Sequence, residues 1–89
     1  MARVFLRLPV GIAGSGGPSL LECEGATVAE ALADCVAREP RLRSRIFRED
    51  GTVWVGVFIN GRHVRQTGGL DSPLGEGDEI RIMVPIGGG

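Results

Sequence analysis

Apolar and polar residues alternate in "ARVFLRL", the opening of the chain: Val4, Leu6 and Leu8 fall on one side, Arg3, Phe5 and Arg7 on the other. A period of two marks a strand with one covered face. "PVGIAGSGGP" follows, rich in glycine and bounded by Pro9 and Pro18, and reads as a loop between hairpin strands. "SLLECEG" is then a short second strand. The period changes in "ATVAEALADCVAREP", where Val28, Leu32, Cys35 and Val36 share one helical stripe. Thr27 caps this helix, Glu30 completes a capping box, and Pro40 stops it.

"RLRSRIFREDG" is irregular or holds one short helical turn, and "TVWVGVFI" is the most strongly apolar strand. Asn60–Gly61 is a hairpin signal that leads into "RHVRQ". "GGLDSPLGEGDE" reads as turns, with a brief helical turn near Leu70 to Leu74. "EIRIMVPI" alternates again, with Ile80 and Ile82 opposite Arg81 and Met83. The order is strand, strand, helix, then three strands. This predicts an α+β fold, a mixed sheet of about five strands with one main helix on one face. A crossover as long as this helix joins parallel rather than hairpin strands.

Composition narrows the class. The chain has 89 residues, 43% of them hydrophobic, which is enough for one small domain over residues 1–89 with a single core. A net charge of −1 favours neither nucleic acid nor an acidic partner, so nucleic-acid binding is not expected. No apolar run approaches a membrane span, and arginines interrupt the start where a signal peptide would be apolar. The expected setting is cytoplasmic, with no membrane partner.

Candidate side-chain chemistry is sparse. Cys23 and Cys35 lack metal-ligand spacing, and the single histidine, His63, completes no metal set. Two buried thiols are expected rather than a disulfide. His63 has no nucleophile to serve, so no catalytic residue and no metal site are nominated. Glu76, Asp78 and Glu79 read as a solvated turn. Arg38 to Arg48 read as a solvated basic face. The loop "GIAGSGG" runs into Pro18 and a strand instead of a helix, so it fails as a phosphate cradle.

That leaves "VPIGGG" at residues 84–89. Pro85 blocks further strand pairing, Ile86 is one apolar anchor, and Gly87, Gly88 and Gly89 follow. The five residues past Val84 span roughly 16 Å when extended. Glycine has the smallest cross-section of any residue and free choice of φ. A carboxylate on such a stalk can enter another protein's active site while the folded body stays outside.

The element order, "VFING", "LDSPLGEGDEIRI" and the terminal Gly-Gly together resemble the ubiquitin-fold sulfur carriers of the ThiS/MoaD family, over essentially the whole chain. The resemblance implies a β-grasp fold with the C-terminal strand central and a flexible tail at 85–89. It implies that Gly89, preceded by Gly88, is the covalent attachment point. A partner activating enzyme, using ATP and Mg²⁺, would adenylate its carboxylate. A sulfur donor would convert the adenylate to a thiocarboxylate, and an accepting biosynthetic enzyme would consume it. The chain would be a cosubstrate that binds no cofactor of its own. Gly87 stands where family tails often carry alanine.

In that fold Val4, Leu6, Val55, Val57, Ile59, Ile80 and Ile82 would face the helix. Phe5, Phe58, Arg81 and Met83 would face out beside Arg3 and Arg7, with Trp54 sharing the parity of Phe58. These outward residues, with Pro85 and Ile86, form the expected partner-binding surface. The final sulfur acceptor stays open among molybdopterin, thiazole, a thiolated tRNA, cysteine and a secondary metabolite. Two other classes remain: a ubiquitin-like modifier joined to lysines through Gly89, and a β-grasp interaction domain whose glycine end is incidental.

Overall fold

A computed structural model describes residues 2–9 and 19–84. The expected glycine loop and the tail at 85–89 therefore lie outside the described residues, apart from the loop's first residue, Pro9. Strand β1 (Ala2–Arg7) and strand β2 (Leu20–Gly25) form an antiparallel hairpin. Helix α1 (Val28–Arg38) crosses over, and a short helix α2 (Arg43–Ile46) follows a 3₁₀ turn at Pro40–Leu42. Strands β3 (Gly56–Ile59), β4 (Arg62–His63) and β5 (Glu79–Met83) complete one five-stranded sheet in the order β2-β1-β5-β3-β4. β5 is central, parallel to β1 and antiparallel to β3. This is the mixed α+β sheet expected from the hydrophobic pattern, in the β-grasp arrangement.

Local chemistry accounts for most of the boundaries. Thr27 Oγ1 accepts the Glu30 N–H at 3.3 Å while Glu30 Oε1 accepts the Ala26 N–H at 3.0 Å, so the capping box closes on the residue before the cap. The Glu39 N–H ends the helix on the Cys35 carbonyl, one residue before Pro40. Asn60 (φ 48°) and Gly61 (φ 88°) make the tight hairpin turn, both in left-handed conformations that suit these two residue types.

The core lies between the sheet and α1. Val4, Leu6, Cys23, Val57, Ile59, Ile80 and Ile82 meet Val28, Ala31, Leu32, Cys35 and Val36, with Leu42, Ile46, Val55 and Val64 closing the ends. Each residue expected to face the helix is buried in this core, Val55 at its end. Gly25 sets the closeness of α1 to β2, because a Cβ there would meet the Ala31 backbone nitrogen at 2.5 Å.

Three expectations are corrected. The third strand begins at Gly56, not at Thr52. Residues 53–54 turn instead to the segment after α2, through a Phe47–Val53 bridge and the Trp54 N–H to the Ile46 carbonyl. β4 stops after two residues, and Val64–Gln66 coil into a 3₁₀ turn. Cys23 and Cys35 are joined in a disulfide and are not free thiols. Cys23 points inward from β2, Cys35 inward from α1, and the close approach at Gly25 leaves their Cα atoms 5.6 Å apart, within bridging range. The spacing along the chain carries no trace of this, because it depends on how the helix lies over the hairpin.

The bridge links residues 12 apart, so loop-closure entropy gives it about 3 kcal/mol. A Cys23→Ala, Cys35→Ala variant is expected to melt about 10–20 °C lower than the parent in a thermal scan. A loss below about 2 °C would contradict a bond that supports the fold.

Candidate functional site

α1 covers one face of the sheet; among the described residues the other face is left open. Strand parity selects what stands on it: Leu20, Glu22 and Glu24 from β2; Arg3, Phe5 and Arg7 from β1; Glu79, Arg81 and Met83 from β5; Gly56 and Phe58 from β3; His63 from β4. Register then decides which of them meet. Phe58 lies opposite Arg81 and Gly56 opposite Met83. A Cβ at Gly56 would sit 3.5 Å from both Met83 Cβ and Phe58 Cε1, ordinary contact distance, so these two side chains flank Gly56 closely. Phe58, Gly61, Glu79, Arg81 and Met83 line a hollow of about 290 Å³. Met83 is 50% exposed there, a large apolar side chain held out into solvent.

The frame of the hollow is polar. The His63 ring meets Phe58 edge-on with centroids 5.0 Å apart. His63 Nδ1 accepts the Arg65 N–H at 3.1 Å, which leaves the ring proton on Nε2. Glu79 stands between two guanidinium groups, 3.2 Å from Arg7 and 3.7 Å from Arg81. Arg3 pairs with Glu22 at 2.8 Å. These are exposed pairs, so they orient side chains more than they stabilise the fold.

Four of the expected site residues are described, and they do not form one patch. Phe58, Arg81 and Met83 converge on the hollow. Phe5 shares the face but registers with Glu22 and Glu79, two residues short of the level of Arg81, and does not line the hollow. Trp54 departs from the face because the regular strand has not yet begun at its position; it packs half-buried at the edge of the core. Gly88, Gly89, Pro85 and Ile86 fall outside the described residues. Val84 is the last described residue; it follows β5 directly and is exposed. The chain therefore leaves the central strand at the Met83 side of the hollow.

Two contributors went unread in the sequence. Gly56 was read only as part of the apolar strand, and its opposition to Met83 places it on the open face. Glu79 was grouped with Glu76 and Asp78 as a solvated turn, yet each has a definite partner. Glu76 Oε1 accepts the Arg3 N–H at 3.0 Å, and Asp78 accepts from Gly75 N and Asn60 Nδ2 at 2.8 and 3.1 Å. The parity of Glu79 with Arg81 and Met83 was the available signal. The basic run is also partly paired. Arg38 holds Asp34 at 2.7 Å, and Arg41 holds Glu39 at 2.7 Å. The Glu24 backbone N–H at 2.9 Å, together with Arg38, keeps the Asp34 carboxyl below its ordinary pKa.

No three His, Cys, Asp or Glu side chains among the described residues are placed to hold a metal ion. Among those residues no helix is long and apolar enough to cross a membrane. The arrangement is suited to contact: an apolar hollow rimmed by charge, beside the point where a narrow chain end departs.

Residues 12–89 match the sequence profile of the ThiS family. A candidate sulfur carrier protein from Archaeoglobus fulgidus is 30% identical over 88 residues, covering 97% of this chain and 98% of that one. The solution structure of small archaeal modifier protein 1 from Methanosarcina acetivorans superposes with a TM-score of 0.85 at 29% identity, over 100% of this chain and 98% of that one. A chain in the crystal structure of the BexX/CysO complex from Amycolatopsis orientalis gives a TM-score of 0.80 at 30% identity, over 97% of this chain and 99% of that one.

Proposed function

The chain belongs to the ThiS family, and from that premise we propose that it is a sulfur carrier charged on the main-chain carboxylate of Gly89. Its relatives are small carrier and modifier proteins and not catalysts. The observation that carries the reading is the placement of β5. The central strand holds Arg81 and Met83 in the hollow and then runs, two residues past Met83, into Pro85, Ile86 and three glycines. An activating enzyme that docks on Phe58, Arg81 and Met83 receives the tail in the same encounter, with Phe5 at the margin and Pro85 and Ile86 as the stalk.

The chemistry asks little of the carrier's side chains. A carboxylate is a poor electrophile. Attack of the Gly89 carboxylate oxygen on the α-phosphorus of ATP would release pyrophosphate and leave an acyl-adenylate. A sulfur nucleophile then adds to the carbonyl carbon, and AMP departs with the bonding electron pair. ATP and Mg²⁺ belong to the enzyme in this scheme. The carrier contributes low steric bulk at the reacting carbon, which glycine provides, and a body that positions it.

A second reading, a ubiquitin-like modifier, is favoured by the likeness to small archaeal modifier protein 1. Both share the activation step and differ in the acceptor. Intact-mass measurement of the chain recovered from its own cells separates them. A mass gain equal to exchanging one oxygen for sulfur supports the carrier. Higher-mass conjugates that vanish when Gly89 is removed support the modifier. Neither species in cells that use the protein would sink both readings and leave an interaction domain.

A further inference from the structure

All ten basic residues of the chain are arginine; lysine does not occur in its 89 residues, and neither does tyrosine. This matters for a protein whose end is to be activated. An acyl-adenylate or thioester is captured by amines and thiolates. A lysine ammonium gives up its proton to become such an amine, whereas the guanidinium stays protonated and its lone pairs are delocalised. A surface whose cations are all arginine keeps its positive charge and offers no side-chain amine.

The structure removes the next nucleophiles in line. A cysteine attacks as its thiolate, but Cys23 and Cys35 are bonded to each other and buried at 0% and 1% exposure. In neutral imidazole the nucleophilic lone pair lies on the nitrogen without a proton. For His63 that is Nδ1, and the Arg65 N–H already occupies it at 3.1 Å. Among the side chains, amine, thiolate and imidazole are each absent, bonded or engaged.

We propose that the body of this protein is chemically inert toward its own activated terminus, so that the acyl group passes only to nucleophiles outside the chain. The inference rests on the activation of Gly89 proposed above. For a carrier it means that the acyl-adenylate is not captured by a side-chain amine of a sister copy before sulfur reaches it. For a modifier it means that no attached copy is extended through a side-chain amine, because none is offered on which the next could be linked. The step that is denied is simple. An amine nitrogen would add to the Gly89 carbonyl carbon, the thiol or AMP would leave with its electron pair, and the amine proton would pass to water.

The test installs the activated end chemically. The full chain is prepared as a C-terminal thioester of a small thiol at Gly89, with its α-amino group acetylated, and is incubated at pH 9 alongside Arg43→Lys and Arg62→Lys. Both positions are exposed and have no ion pair among the described residues, so charge and fold are kept. The parent is expected to hydrolyse to the free carboxylate with no self-linked product. Each lysine variant is expected to form self-linked species at least tenfold faster, read by intact mass. Self-linked parent at the variants' rate, or variants no faster than the parent, would overturn the proposal. Iodoacetamide without reductant should add nothing to the native chain; alkylation of Cys23 or Cys35 would also overturn it. Since no enzyme takes part, these outcomes are independent of the Gly89 reading, which fails separately if the native chain carries no sulfur or conjugate.

Discussion

A chain lacking Gly88 and Gly89 is expected to fold as the parent does and to be completely unable to accept charge. Ile82 is the last core residue among those described, and the two glycines removed carry no side chain to bury, so stability is expected to stay within about 0.5 kcal/mol. What it removes is reach and slenderness. The shortened chain would end on Gly87, about 7 Å short of the original terminus, and its carboxylate could not occupy a site shaped for the longer stalk. Gly89→Ala is the milder version. A methyl group next to the reacting carbon displaces it within a narrow channel, where an error near 1 Å costs about a hundredfold in rate. Circular dichroism and an ATP-dependent charging assay check both halves. If the truncated chain still takes up charge, the tail is incidental and the protein is an interaction domain.

Met83→Asp is expected to weaken binding to the activating enzyme by about thirtyfold or more, a hot-spot loss near 2 kcal/mol. Met83 is half exposed, so the folded state has little to lose, while a docked partner would meet a charged carboxylate where it had packed against an apolar side chain. Phe58→Asp should be at least as severe for binding, with an added stability cost of about 1 kcal/mol from the lost edge contact with His63. Leu20→Asp is the control. Leu20 is 46% exposed on the same open face, opposite Arg7 on the edge strand, but does not line the hollow, so it separates the hollow from the rest of the face. Calorimetric titration that finds Met83→Asp and Leu20→Asp equally harmless would remove the hollow as the docking point.

The parts of this molecule that were legible in the sequence are those where one local rule decides the outcome. Alternation in "ARVFLRL" and "EIRIM" needs only a covered face, and Val4, Leu6, Ile80 and Ile82 are buried accordingly. Thr27 with Glu30, and Asn60 with Gly61, carry their own geometry. What was not legible depends on two segments meeting. Cys23 and Cys35 bond because α1 comes close over Gly25, and a spacing along the chain does not encode that approach. Trp54 shares the parity of Phe58 on paper, but parity holds only within a strand, and Ile46 draws residue 54 out of it. Phe5 has the right face and the wrong level, because the parallel register of β1 with β5 sets it beside Glu79 and not beside Met83. The proposed reactive end was nominated for a different reason. It is a main-chain group, so its signature is the lack of side chains around it.

The central claim is that the chemistry sits on the Gly89 carboxylate, and one measurement addresses it directly. The chain is isolated from its own cells without reductant, cleaved, and its C-terminal peptide sequenced by tandem mass spectrometry. The account predicts a peptide population whose mass gain equals one oxygen exchanged for sulfur, with the whole gain retained on the fragment that contains Gly89. A C-terminal peptide that is always the plain carboxylate, under conditions where the cells consume the charged form slowly enough to trap it, would contradict the account.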